Sequence, residues 1–115
     1  MSKPNIIQLS EFDVTQKIIE SLSNVCARAV LFSIKDSSKD ATQIAEELNI
    51  SLSTVYKTLS NLEDLALIVV DRYIISKDGK KIKQYISRIG KVEIVMTDME
   101  PKLSLYPNKA VKSKE

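Results

Sequence analysis

Basic side chains are concentrated in one short segment of the chain. The 115 residues carry 17 Lys and Arg against 15 Asp and Glu, a net charge of only +2. Residues 71–91 hold seven basic and two acidic groups, a local charge of 7 − 2 = +5. A segment of this charge attracts a polyanion even when the whole molecule is nearly neutral. A solvated, lysine-rich hairpin has the same composition, so charge alone leaves both interpretations open.

A second group of polar side chains begins at Ser51. The run Ser51-Leu-Ser-Thr-Val-Tyr-Lys57 places hydroxyl and amino groups at the start of a predicted helix. Ser and Thr hydroxyls both donate and accept hydrogen bonds, whereas the Lys ammonium only donates. These groups are suited to base edges or phosphates, although Ser51 also fits the simpler role of a helix cap.

One cysteine, Cys26, and no histidine exclude several kinds of chemistry. An intramolecular disulfide and a zinc site built from Cys and His of one chain are ruled out. Histidine-dependent acid–base chemistry is ruled out as well. Gly79 and Gly90, the only glycines, cannot form a glycine-rich phosphate loop, and adjacent carboxylates such as Glu46 and Glu47 diverge on a helix. We therefore expect no enzyme activity, no metal and no cofactor, with Cys26 as a small core residue.

Four helices are predicted from capping residues and apolar spacing. Residues 1–10 are expected to form a loose arm, and a capping box at Asp13 starts a first helix that ends near Ser21. Ser23 or Asn24 caps a second helix. Its inward residues are predicted to be Val25, Ala29, Phe32 and Ile34.

The third and fourth helices are predicted to form a helix-turn-helix. Asp40-Ala-Thr-Gln43 has the form of a capping box, and Asn49 tolerates the left-handed conformation that ends a helix. Ser51 caps the next helix, and Ala45 is small where the two helices cross. Ile50 fills the angle between them. The inward stripe of the fourth helix is Val55, Leu59, Leu62 and Ala66.

After Leu67 the pattern changes to strands. Residues 68–75 and 80–86 flank Asp78-Gly79, a dipeptide typical of a two-residue hairpin turn. Ile82, with Tyr85 or Ile86, is expected to point inward. Residues 92–96 and 103–105 suggest one or two further strands. The predicted fold is α+β and mostly helical, with a winged helix-turn-helix over 11–90, extra strands over 91–107 and a disordered tail over 108–115.

The sequence resembles the winged-helix regulators of the ArsR type and their single-domain archaeal relatives. The resemblance rests on the helix-turn-helix run Ile44–Leu59, on the exit Leu62-Glu-Asp-Leu-Ala-Leu-Ile68, and on the segment Leu22–Leu31. It covers roughly residues 12–87. Ala66 stands where the family usually has Gly, and the Cys or His sets of the family's metal sensors are absent, so metal sensing is not carried over.

The resemblance implies a transcriptional regulator that binds double-stranded DNA. Helix geometry then places the recognition helix, residues 51–65, in the major groove and the basic wing, residues 71–91, on the backbone or in the minor groove. The candidates for contact with base edges are Leu52, Ser53, Thr54 and Lys57. The candidates for contact with the DNA backbone are Ser51, Tyr56, Arg72, Lys77, Lys80, Lys81 and Lys83.

A homodimer is expected, because a single module with a few phosphate contacts binds weakly at physiological salt. The candidate dimer residues are Phe12, Val14, Ile18 and Ile19, with residues 91–107 as a second possible surface. Ordinary packing within one chain is the alternative for both surfaces. The sequence names no small-molecule effector. A winged-helix module for protein–protein contact in a larger assembly is the alternative function. A cytosolic location is expected, since no apolar run approaches the ~20 residues of a membrane span and the first residues lack a signal peptide's apolar stretch.

Overall fold

Four helices are followed by two β-hairpins in the computed structural model. It describes the backbone of residues 6–111 and the side chains of residues 14–111. The helices are α1 (Ile6–Leu22), α2 (Val25–Ser33), α3 (Ala41–Leu48) and α4 (Leu52–Asp64), and the strands are β1 (Ile68–Ile75), β2 (Lys81–Ser87), β3 (Ile89–Val95) and β4 (Lys102–Pro107). Within residues 6–111, no helix combines the length and the apolar character that crossing a bilayer requires.

The first two helices differ from their predicted forms. α1 begins at Ile6, so the prediction of a loose arm is wrong for residues 6–10, and Asp13 lies inside the helix. α2 is capped by Asn24, whose side chain accepts a hydrogen bond from the Ala27 amide. Its inward face was predicted one step out of phase. Val25 and Phe32 are exposed, and the buried residues are Ala27, Val30, Leu31 and Ile34.

The helix-turn-helix follows the sequence closely. Asp40 and Gln43 form a reciprocal capping box at the start of α3. Asn49 ends that helix in the left-handed region with φ 56°, and Ser51 caps α4 by accepting from the Thr54 amide. Ile44 and Val55 are fully buried where the helices meet, and Ile50 packs against the same core. The angle between α3 and α4 is therefore set by a short turn and a shared apolar contact.

Ala66 turns the chain from α4 into the first strand. Its φ of 60° is left-handed, and the Leu67 amide donates to the Leu62 carbonyl (3.0 Å) while the Ala66 amide donates to Glu63 (2.9 Å). These two bonds and the buried pair Leu62 and Leu67 constitute a Schellman motif. Ala66 is exposed and lies outside α4, so its predicted place on the inward stripe of the helix is wrong.

The first hairpin, β1–β2, is antiparallel, with Ile68 opposite Ser87 and Ile75 opposite Lys81. Its register shifts between Val70 and Arg72, so that Asp71 forms a bulge. The connection is not the predicted two-residue turn. Because the Ser76 amide donates to the Lys80 carbonyl and the Gly79 amide to the Ser76 carbonyl (both 2.9 Å), residues 77–79 form a three-residue loop, and Gly79 takes the positive φ of 81° that such a loop needs.

The second hairpin, β3–β4, forms a separate two-stranded sheet. Of the strands predicted over 92–96 and 103–105, the second lies within β4, whereas β3 begins at Ile89 and ends at Val95, so that Met96 lies outside it. Gly90 allows close approach at the base of this hairpin, because an added Cβ would lie 3.1 Å from the Pro107 carbonyl oxygen. The two strands of this hairpin therefore approach each other closely at its base.

Asn108 fastens the chain after β4. Its side-chain amide donates to the carbonyls of Lys35 (2.7 Å) and Ser87 (2.8 Å), and its backbone amide donates to Arg88 (2.8 Å). Asn108 is only 7% exposed. The prediction that the disordered tail begins at residue 108 is thus wrong at its first position, whereas residues 112–115 lie outside the described part.

A single bridge links the first hairpin to the segment that enters the helix-turn-helix. The Lys39 amide donates to the Tyr85 carbonyl (3.0 Å), and the Tyr85 amide donates to the Lys39 carbonyl (2.8 Å). β2 is therefore attached to the residue before the α3 cap as well as to β1.

Candidate nucleic-acid interface

The first turns of α4 present polar side chains to solvent. Ser53, Thr54 and Lys57 are exposed, and so are Leu52 (42%) and Tyr56 (54%). Val55 is buried against α3, which turns the other residues of this stretch outward. All the residues predicted to contact base edges are thus on the free surface of one helix.

The three predicted hydroxyls at the helix start contact one another, with the Ser51 and Ser53 hydroxyl oxygens 3.3 Å apart. The Ser51 hydroxyl accepts from the Thr54 amide (3.2 Å) and donates to the Thr54 hydroxyl (2.8 Å). Ser51 is thus a helix cap, and its contact with the DNA backbone stays a prediction. Thr54 keeps its own hydroxyl hydrogen for an outside acceptor. Ser53 and Lys57 carry the other polar groups of this turn.

The first hairpin has two different faces beyond its bulge. Side chains of directly paired residues share a face, and faces alternate along a strand. Tyr73 pairs with Lys83, and Ile75 pairs with Lys81. These four side chains form what we call the inner face. The outer face carries the alternate pairs, Arg72 with Gln84 and Ile74 with Ile82.

An open cleft lies between the inner face and the helix-turn-helix. It has a volume of about 810 Å³ and includes Lys80, Lys81 and Lys83 on one side, with Tyr56 of α4 and the start of α3 on the other. Thr42 and Gln43, both exposed at the start of α3, line the same cleft. Three amino groups therefore border one concave surface beside the exposed turns of α4.

Two carboxylates reduce the positive charge of this cleft. Asp40 and Asp78 both line it. Asp40 is occupied as the α3 cap, because its carboxylate accepts from the Gln43 amide (2.9 Å). Nearby, Lys39 is neutralised by an ion pair with Glu47 (2.6 Å). The cleft is consequently basic because of the hairpin lysines and not because of α3.

Tyr85 is a cleft residue that is only 7% exposed. Burial raises the pKa of its phenol above the ordinary value, and the negative charge of Glu63 raises it further. The phenol therefore stays neutral at physiological pH. Tyr85 offers a hydroxyl hydrogen bond and no charge to whatever occupies the cleft.

Three basic residues of the +5 segment lie away from the cleft. Arg72 is on the outer face of the first hairpin, and its Nε donates to the neighbouring Asp71 carboxylate (3.2 Å). Arg88 donates to the Ala66 carbonyl (3.3 Å). Lys91 lies 5.0 Å from the ring centre of Tyr106 in the second hairpin. The structure thus separates Arg72 from Lys77, Lys80, Lys81 and Lys83, with which the sequence grouped it.

The predicted dimer residues do not form one surface. Ile18 is 5% exposed within its own core, so ordinary packing accounts for its burial, and its role in a dimer stays a prediction. Val14 is 52% exposed. Ile19 lines an apolar groove of about 390 Å³ together with Leu22, Ser23, Arg28, Phe32, Val92 and Ile94. The Phe12 side chain lies outside the described residues.

Cys26 is half-buried, with its Sγ 3.9 Å from the Thr58 hydroxyl. It packs against the hydrophobic core, as expected for a small apolar residue. Among the described side chains, no three Cys, Asp or Glu residues are grouped to hold a metal ion.

No protein-family model and no curated protein matches the sequence. Solved structures do match the fold. NolR from Sinorhizobium fredii has a TM-score of 0.59 at 17% identity, over 76% of this chain and 81% of that chain. The homodimeric winged helix-turn-helix DNA-binding domain of Mb0332 from Mycobacterium bovis, described as a possible ArsR-family transcriptional regulator, has a TM-score of 0.58 at 15% identity, over 76% of this chain and 75% of that chain. The fold is a winged helix-turn-helix. The prediction of the fold class is confirmed, with α4 as the second helix of the helix-turn-helix and the first hairpin as the wing.

Sequence reasoning missed residues of the cleft and of the inner face of the hairpin. Tyr73 and Ile75 are exposed on the inner face, at 55% and 64%. Thr42 and Gln43 were considered only for the α3 cap. Strand alternation is the sequence signal that could have placed Tyr73 and Ile75 on the inner face. The bulge at Asp71 reverses that alternation, and a bulge is not visible in the sequence.

Proposed function

We propose that this protein is a sequence-specific transcriptional regulator that binds double-stranded DNA as a homodimer, and that it is not an enzyme. The observation that carries the proposal is the cleft between two elements. Tyr56 of α4 and the lysines at positions 80, 81 and 83 border one concave surface, and the exposed side chains of Ser53, Thr54 and Lys57 lie on the same helix as Tyr56. A duplex lying there would meet hydrogen-bonding side chains from α4 and ammonium groups from the first hairpin.

The two elements have different tasks in this proposal. Ser53, Thr54 and Lys57 lie at the start of a helix that would enter the major groove, where base edges differ in their donors and acceptors. Lys77, Lys80, Lys81 and Lys83 would contact phosphates, which bind without regard to sequence. Specificity would come from α4, and most of the affinity would come from the first hairpin.

The homodimer is supported by apolar surface away from the cleft. In the second hairpin Val92 pairs with Leu105 and Ile94 with Leu103, so these four apolar side chains share one face. Ile94 remains 44% exposed beside the groove that it lines with Ile19 and Phe32. A two-stranded hairpin is marginally stable unless its apolar face is covered. We propose that a second copy of the chain covers it. The Mb0332 domain with the same fold is described as homodimeric.

The exposed surface of α4 favours DNA over a protein partner. A docking surface for protein would be expected to carry a contiguous apolar patch. On α4 the large exposed apolar side chains are Leu52 and Tyr56, which lie one turn apart as a single pair bordered by hydroxyls and Lys57. We therefore retain DNA as the proposed ligand.

Titration of fluorescently labelled duplexes at several salt concentrations tests the proposal. We expect log K to fall linearly with log salt concentration. The double variant K80A/K81A should weaken binding to all duplexes and reduce the slope by about 2, because each lost phosphate contact removes about 0.9. Arg72→Ala removes the same kind of charge from the outer face and should leave the slope unchanged. Absence of binding at low salt would refute the proposal.

Selection from a random duplex library tests specificity and symmetry together. We expect selected sites with two-fold symmetry and half-sites about 10 base pairs apart. Ser53→Ala and Lys57→Ala should change the selected sequence. Ile94→Glu should give monomers by sedimentation equilibrium and abolish the half-site spacing, whereas Val25→Glu, which changes a residue of α2 that is 70% exposed, should do neither. Random recovered sequences would contradict specific recognition.

A further inference from the structure

Two neighbouring isoleucines of β1 have different surroundings. Ile74 lies on the outer face opposite Ile82, and this apolar pair leaves it 37% exposed. Ile75 lies on the inner face opposite Lys81 and is 64% exposed. The residue opposite Ile75 is a lysine, so no apolar cross-strand partner covers the isoleucine. The hairpin therefore holds one isoleucine in an apolar pair and leaves the next one largely open.

The charged neighbours of Ile75 do not cover it. The Lys81 ammonium lies 5.8 Å from the ring centre of Tyr73, the next inner-face residue along β1. Lys77 and Lys80 lie beyond Ile75 in the loop and are exposed. An exposed apolar side chain is thus surrounded by lysines at the end of the wing. This arrangement suits a polyanion whose charged groups surround a less polar interior.

We propose that Ile75, supported by Tyr73, enters the minor groove of DNA and makes the wing selective for base pairs without a minor-groove amino group. The inference rests on the proposed function and adds a contact to it. Phosphates on both sides of the groove would be held by Lys77, Lys80, Lys81 and Lys83. The side chain between these lysines would meet the floor of the groove.

The chemistry of the groove accounts for this selectivity. The minor-groove edge of a G·C pair carries the guanine N2 amino group, whereas an A·T pair presents only acceptors there. Ile75 would displace water from that amino group without replacing its hydrogen bond, which is unfavourable. Apolar side chains of minor-groove proteins also wedge between base steps and bend the duplex. Binding should consequently be weaker wherever guanine lies under the wing.

Inosine isolates this contact from every other part of the interface. An inosine–cytosine pair has the same major-groove edge as G·C but lacks the N2 amino group. We would measure the full chain on two duplexes of equal length, one of alternating dG and dC and the other of alternating dI and dC. The amino donor that Ile75 would leave without a partner in the G·C duplex implies that the wild-type chain binds the inosine duplex about tenfold more tightly.

Two variants of adjacent residues distinguish the groove contact from hairpin stability. Ile75→Thr keeps a β-branched side chain and should reduce the preference to less than about twofold, with an unchanged salt slope because no phosphate contact is lost. Ile74→Thr breaks the apolar pair with Ile82 and should keep the full preference. Wild-type binding with equal affinity for both duplexes, or an unchanged preference in Ile75→Thr, would overturn the inference and leave the proposed function intact. An equal loss of the inosine preference in Ile75→Thr and Ile74→Thr would also overturn the inference. Failure of the wild-type chain to bind either duplex would overturn the proposed function as well.

Discussion

Replacing Ala66 by Gly should stabilise the protein. Ala66 has a φ of 60°, in the left-handed region where a Cβ atom approaches the following carbonyl oxygen, at a cost of about 1–2 kcal/mol. Glycine removes this cost. It also gives the unfolded chain more freedom, which offsets about 0.4–1 kcal/mol. The difference predicts a gain centred on roughly 0.8 kcal/mol in the free energy of unfolding, within a range of about 0–1.6 kcal/mol.

Other contributions of Ala66 to stability are small. The side chain is exposed, so deleting its methyl group creates no cavity. Its amide and carbonyl remain available to Glu63 and Arg88 after the change. The Schellman bonds around residue 66 therefore persist, and the direction of α4 relative to β1 should be the same in the variant.

Urea denaturation followed by circular dichroism, at one fixed protein concentration, measures this effect. The midpoint should rise at an unchanged m-value, and the melting temperature should rise by about 2–5 °C. Asn49→Gly is the matched control, because Asn49 also has a positive φ (56°) but asparagine tolerates it, so the change should stay within about 0.5 kcal/mol. A lower midpoint for Ala66→Gly, or an equal gain in both variants, would refute the reasoning.

Three further predictions concern the second hairpin and the cleft. Asn108→Ala leaves two carbonyls without their hydrogen bonds and should cost about 2 kcal/mol in urea denaturation; Asn108→Asp, which keeps the size but not the donors, should be at least as destabilising. Gly90→Ala places a Cβ 3.1 Å from the Pro107 carbonyl oxygen and should lower the free energy of unfolding by about 1–3 kcal/mol. An unchanged free energy of unfolding would show that the backbone at the base of the hairpin shifts to accommodate the methyl group. Since burial raises the pKa of Tyr85 above 10.0, the free energy of unfolding should fall as pH rises above that value, and Tyr85→Phe should reduce the fall; an unchanged pH profile would contradict this.

The helix-turn-helix was predictable because local chemistry determines it. Asp40 with Gln43 and Ser51 with Thr54 satisfy helix ends using residues three positions apart, and Asn49 tolerates the left-handed turn between them. Such contacts depend on neighbours in the sequence. They can be recognised without knowledge of the tertiary structure.

The predictions failed where contacts between residues far apart in the sequence determine the structure. The inward face of α2 depends on how α1 and α4 surround it, and a short apolar helix such as Val25–Ser33 has hydrophobic residues on several sides. Asn108 is polar and near the end of the sequence, yet its partners are 73 and 21 residues away. No local pattern identifies such partners.

The residue types of the candidate site were predicted, but their distribution over the two faces of the first hairpin was not. The lysines and the polar start of α4 were found from residue type. Arg72 was grouped with them because it lies in the same charged segment, and the bulge at Asp71 places it on the other face. A shift of one residue in register is sufficient to exchange the faces of a strand.

The bridge between Lys39 and Tyr85 has a consequence for the form of nucleic acid that the protein can hold. Two backbone hydrogen bonds tie β2 to the entrance of α3 and so help to hold the wing at a set distance from the helix-turn-helix. A B-form duplex offers a wide major groove to α4, whereas the deep, narrow major groove of A-form RNA does not admit a helix. We expect duplex RNA to engage the lysines alone, which would make the molecule a sensor of duplex geometry as well as of sequence.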